Sequence, residues 1–99
     1  MPGFLLLPDA EADLDQIWLY VAQASSSIDV ANRLVDRITD TLWLLAQHPQ
    51  IGRRRDYDLR PDLRSFPVGE YVVIYRIEAD VVVILHIFRG SRDISGLME

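Results

Sequence analysis

Ten arginines and no lysine supply the fixed positive charge of this 99-residue chain. Eight of them (Arg53, Arg54, Arg55, Arg60, Arg64, Arg76, Arg89 and Arg92) lie in its second half. Arginine stays protonated in proteins and presents a planar fork of donors. It can grip carboxylates or phosphates and stabilise developing negative charge, but it does not shuttle protons. Metal-free RNA cleavage needs a base for the 2′-hydroxyl and an acid for the leaving oxygen. The proton carriers in the same half are Tyr57, Tyr71, Tyr75 and His86. No spacing joins any of them to an arginine as a site. His48 and His86 share no motif and so suggest no metal pair. His48 precedes Pro49 and suits a helix C-terminus, where a cation meets the negative end of the dipole. His86 alternates with Val82, Ile84 and Phe88, which predicts a shared strand face. Asp9, Glu11, Asp13 and Asp15 alternate around a helix start and read as its solvated first turns. Nucleophile elbows, phosphate-cradling glycine loops and metal motifs are absent. The residues therefore predict no catalytic residue, cofactor or metal. They leave two readings of the arginines, which are interleaved with Asp56, Asp58, Asp62 and Asp93. One is a basic rim along one side of a sheet. The other is a surface network of ion pairs, each worth under about 1 kcal/mol.

Composition narrows the class. The net charge is −5. Residues 1–50 hold seven acids against two arginines, whereas residues 51–99 hold eight of each. Such a field does not steer the whole chain toward nucleic acid. Without cysteine there is no disulfide framework and no thiolate metal site. No apolar run approaches the roughly 20 residues that span a bilayer, and no basic-then-apolar leader opens the chain. The expectation is one soluble, cytoplasmic domain over residues 1–99.

Periodicity supplies the elements that must position these groups. "GFLLL" (Gly3–Leu7) predicts a short strand. Pro8 suits a first helical turn. Leu14, Ile17, Trp18 and Val21 make a helical stripe that fades at "ASSS" (Ala24–Ser27), whose serines suit a cap. A second helix is predicted over Ile28–His48, with Ala31, Leu34, Ile38, Leu42 and Leu45 on its inner side and Pro49 as its stop. Trp43 and Leu44 fall off that stripe and form a candidate apolar contact surface. Pro49–Asp62 reads as loop or irregular edge strand. Strands follow over Leu63–Val68, Glu70–Ile77 and Val81–Phe88, the last two as a hairpin turning at Glu78–Asp80. Their near-continuous hydrophobicity predicts cover on both faces. The order is β-α-α-β-β-β: an α+β fold with a helix hairpin on a small antiparallel sheet.

"LRSFPVGEYVVIYRI" followed by "VVVILHIFRGSRDI" resembles toxins of the ParE/RelE type from bacterial toxin–antitoxin pairs. "ADLDQIWLYVA" and "LAQHPQIGRRRD" resemble that family too, so the likeness runs from Phe4 to Ile94. It implies a helix hairpin packed on an antiparallel sheet. It also implies a ParD-like ribbon–helix–helix antitoxin as partner. RelE-like members cut mRNA on the ribosome with basic residues and often a carboxy-terminal tyrosine. ParE-like members instead poison DNA gyrase. Arg92 matches a shared basic position, but the RelE-type arginine of the preceding strand falls at Val72. The terminal tyrosine position falls near Met98. The resemblance is therefore closer to ParE, and it implies a non-enzymatic gyrase inhibitor. A ribosome-dependent mRNA endonuclease and a non-toxic antitoxin-binding relative are the alternatives. On the arginine grouping and this likeness together, Arg64, Arg76, Arg89 and Arg92 are expected to contact the target or the antitoxin. The segment from Ser91, with Ile94, Leu97 and Met98, is expected to join them, and Trp43 and Leu44 to anchor the antitoxin.

Overall fold

The computed structural model describes residues 3–55 and 60–90. Expectations placed on Tyr57, Arg92, Ile94, Leu97 and Met98 lie outside the described residues.

Strand β1 (Gly3–Leu6) leads into helix α1 (Pro8–Ser25), and helix α2 (Ile28–Gln47) follows. Pro8 opens α1, where a missing N–H costs little. Ser26 takes a left-handed conformation at its end, φ 54°. Ser27 then caps α2: its side chain accepts the Val30 N–H at 3.2 Å. Replacing Ser27 by alanine should cost about 1 kcal/mol, read from the midpoint of chemical denaturation. The two helices are also tied by Trp18 Nε1, which donates to Asn32 Oδ1 at 2.8 Å. Among the described residues no helix is long and apolar enough to cross a membrane.

After α2 come a 3₁₀ turn at Pro49–Ile51 and four strands: β2 (Arg53–Arg54), β3 (Arg64–Val68), β4 (Tyr71–Glu78) and β5 (Val81–Arg89). The predicted loop thus contains a two-residue edge strand. The β3–β4 turn uses Gly69 at φ +58°, a conformation that costs glycine little. The sheet order is β1-β5-β4-β3-β2. Strands β2 to β5 are antiparallel to their neighbours, but β1 runs parallel to β5, with Gly3 opposite Val81 and Leu6 opposite Ile84. The sheet is therefore mixed, not wholly antiparallel. A return through two helices and three strands leaves the direction of β1 free, whereas a tight hairpin would have fixed it.

Both faces bury apolar residues. Under the helices lie Ile38, Leu42 and Leu45 of α2, Ala10 of α1, and Val73, Tyr75, Val82, Ile84 and Ile87 of the sheet. Leu63, Ile74, Val83 and Leu85 form a second buried cluster, with Val72 and Phe88 beside it. Along β5 this alternation is interrupted. The register with β4 shifts between Ile74 and Tyr75, so Ile74 faces His86 while Tyr75 faces Ile84. The extra residue is a bulge, and it corrects the expected placement of His86. Val82 and Ile84 join the core under the helices, whereas His86 stacks on Phe88 with ring centroids 4.9 Å apart. Simple alternation fails because a bulge adds one residue to the period.

Candidate functional site

Tyr75 is fully buried in β4, and its ring reaches back to the chain leaving α2. Its hydroxyl donates to Pro49 O at 2.6 Å and accepts the Gly52 N–H at 2.9 Å. Arg64 closes the same corner. Its guanidinium donates to Gly52 O at 3.0 Å, to Gln50 O at 3.3 Å and to Gln50 Oε1 at 3.3 Å. Arg64 thus satisfies backbone carbonyls of the turn. Next to it, Arg55 donates to Ser65 Oγ at 3.0 Å.

The other described candidates are dispersed. Arg76 pairs with Glu78 at 3.2 Å, near the β4–β5 turn. Arg89 pairs with Glu70 at 3.6 Å, at the opposite end of that hairpin, since Arg89 lies across from Tyr71 and Glu78 across from Val81. Arg64 faces Tyr75 in register and Arg76 is the next residue, so pleating sends those two side chains to opposite faces. The structure does not gather Arg64, Arg76 and Arg89 into one rim. Each takes a local acid or carbonyl, which fits the ion-pair reading.

Arg89 borders a cleft of about 360 Å³ between α1 and the sheet, which Asp13, Ile17, Tyr20 and Tyr71 help to line. A hydrogen bond that it donates to Tyr20, then the Glu70 charge, raises the pKa of its guanidinium. Burial raises the Tyr71 pKa, which Arg89 partly offsets. Burial likewise raises that of Tyr75, against the lowering effects of Gly52 and Arg64. Both phenols thus ionise less readily when folded than at their ordinary value of 10.0. Their contribution to stability is full below that value and is lost as the pH rises through the folded pKa. Unfolding free energy should therefore fall at alkaline pH, in step with tyrosinate absorbance. Tyr75→Phe should flatten that decline.

Asp13 was expected to be part of a solvated helix start, yet it is engaged. Its Oδ2 accepts the backbone N–H of Ile87 at 2.9 Å and lies 3.3 Å from His86 Nδ1. Asp9 stands 3.8 Å from His86 Nε2 and remains exposed. Helical spacing could have shown that Asp13 sits one turn beyond Asp9. Only the tertiary fold reveals that it meets a strand edge.

On α2, Trp43 is 52% exposed and Leu44 41% exposed, as expected from their place off the stripe. Trp43 meets Phe4 of β1 edge-on, with ring centroids 4.7 Å apart. An apolar ridge of α2 therefore adjoins the outer edge of β1, where the sheet ends.

Comparison with known proteins adds a further finding. Residues 4–94 match the family model described as the ParE toxin of the type II toxin–antitoxin system parDE. Toxin ParE3 of Caulobacter vibrioides is 36% identical over 84 residues, covering 85% of this chain and 82% of that protein. Toxin RelE3 of the same species is 35% identical over 87 residues, covering 88% of this chain and 92% of that protein. The solved structure of a chromosomal ParDE system from P. aeruginosa superposes with a TM-score of 0.76 at 23% identity. It covers 90% of this chain and 96% of that one, a likeness of fold.

Proposed function

Because this chain belongs to the ParE toxin family of type II toxin–antitoxin systems, we propose that it acts by binding DNA gyrase and arresting replication, without catalysis of its own. A ParD-like ribbon–helix–helix antitoxin then neutralises it. The observation that carries the non-nuclease reading is the setting of Val72. That residue takes the position of the RelE-type arginine, and its side of the sheet holds Leu63, Ile74, Val83 and Leu85. His86 lies on that side too, but its ring stacks on Phe88 and its Nδ1 stands 3.3 Å from Asp13 Oδ2, so this proton carrier is held by a carboxylate of α1 and no arginine replaces Val72 beside it. The antitoxin reading is supported by the ridge of Trp43 and Leu44 beside the outer edge of β1, which no strand among the described residues covers. A helix can lie on the ridge and a strand can pair with the edge. Arg64, Arg76, Arg89 and Arg92 are assigned secondary roles in partner contact, since the three described ones already hold local partners.

Toxin RelE3, at 35% identity, favours a second reading as a ribosome-dependent mRNA endonuclease. One experiment separates the two. Purified protein added to gyrase and supercoiled DNA should accumulate cleaved gyrase–DNA complexes, while ribosome-bound mRNA stays intact. Cleaved mRNA with undisturbed supercoiling would select the nuclease instead. In the same assay, joint replacement of Arg89 and Arg92 by alanine should weaken inhibition several-fold. Unchanged inhibition and unchanged antitoxin affinity would remove those two residues from the contact.

A further inference from the structure

Strand β5 runs from Val81 to Arg89, but β1 covers only Val81–Ile84. Leu7 N–H adds one more bond, to Ile84 O, before Pro8 turns the chain into α1. Among the described residues no strand continues along that side of β5. The N–H and C=O of a strand residue point to the same edge, and successive residues alternate. Gly90 N–H is aimed at Glu70 O on the β4 side. Ile87 N–H points the other way, to the open side, and its partner there is Asp13 Oδ2. The carboxylate stands where the carbonyl of an added strand would stand, and His86 braces it.

The open segment is also polarised. Asp9 and Asp13 of α1 lie against its His86 end, and Arg89 lies at the other. A strand of opposite polarity suits it, and an antiparallel copy of the same segment has that polarity. With a two-fold axis at Ile87, the outward groups of the two Ile87 residues would exchange both hydrogen bonds. Each Arg89 would then approach the other copy's acidic end. We propose that the Leu85–Arg89 edge of β5 is a latent pairing surface for a second copy of this chain, held shut by the Asp13 carboxylate. Free strand edges are templates for association, and charges turned onto them are a common guard. Asp13 is such a guard here, because a hydrogen bond to a charged acceptor outcompetes one to a neutral carbonyl.

Sedimentation of the purified full chain tests this. The native protein should not pair through this edge. Asp13→Ala should form dimers at a concentration at least roughly tenfold lower. Adding Arg89→Glu to Asp13→Ala sets acid against acid and should restore the monomer. In dilute solution the Ile87 amide of Asp13→Ala should exchange roughly 10- to 100-fold faster than in the native protein, and should slow again on concentration. Asp13→Asn keeps a weaker, neutral acceptor and should show a smaller acceleration, which tests the bond even if the alanine variant does not fold. Three results would overturn the proposal. They are an Asp13→Ala chain monomeric at every concentration, a dimer indifferent to Arg89→Glu, or Ile87 exchange unchanged in Asp13→Asn.

Discussion

Gly52→Ala should lower the unfolding free energy by about 3 kcal/mol, near the upper end for an overpacked site. A methyl group at Gly52 would overlap the Tyr75 hydroxyl and lie 2.6 and 2.7 Å from two ring carbons. The ring has nowhere to go, because Tyr75 is fully buried among Val73, Val82 and Ile84. Moving the turn instead would break the hydroxyl's bonds to Pro49 O and Gly52 N–H and loosen Arg64 from the carbonyls of Gln50 and Gly52. Tyr75→Phe isolates part of this effect. It removes only the hydroxyl and leaves two backbone groups unpaired, at about 1–3 kcal/mol. Combining the two substitutions should not restore stability, since the ring carbons that crowd the methyl remain. Denaturant titration of the four proteins in the cycle reads each value. A Gly52→Ala variant within about 0.5 kcal/mol of the native protein, the range of ordinary surface changes, would show that the turn yields freely.

The other large effect is expected at the ridge on α2. Trp43→Asp should weaken antitoxin binding by about 2–4 kcal/mol, roughly 30- to 700-fold, as measured by calorimetry. Tryptophan is a frequent anchor because it covers much area with few rotatable bonds. Here Phe4 supports it from beneath, so the indole is held in place before any partner arrives. A carboxylate at this position would be desolvated on binding with no cation beside it. The fold should tolerate the change, since the side chain is half exposed. Leu44→Ala should give a smaller loss. If Trp43→Asp binds within about threefold of the native chain, about 0.7 kcal/mol, the antitoxin anchors elsewhere.

Local patterns carried most of the fold. The α2 stripe, the Ser27 cap, the Pro8 start and the β4–β5 hairpin all follow from signals within a few residues, and each is found where expected. The direction of β1 was not legible, because pairing between Gly3 and Val81 depends on the whole intervening path. The bulge in β5 was hidden by a run of apolar residues in which one extra member changes no composition. The candidate surfaces divide in the same way. Trp43 and Leu44 could be read from helical phase alone. The arginines could not, because their partners Gln50, Glu78 and Glu70 are set by strand register and turn geometry, not by charge density. Asp13 was missed for a related reason: the group that it satisfies is a backbone amide, and backbone amides look alike in a sequence.

The parallel pairing of β1 with β5 also sets an order of events during synthesis. The strand made first has its partner in the strand made near the end, some of the most distant contacts in the chain. Closing such a loop is entropically late, and the rate of folding suffers for it. While the ribosome is still extending the chain, the helix hairpin can form, but Phe4 has no sheet to hold it under Trp43. The ridge and edge assigned to the antitoxin therefore come into being only when β5 has emerged and β1 docks. Until then the nascent chain lacks the surface proposed above for the antitoxin, in which Phe4 supports Trp43 beside β1.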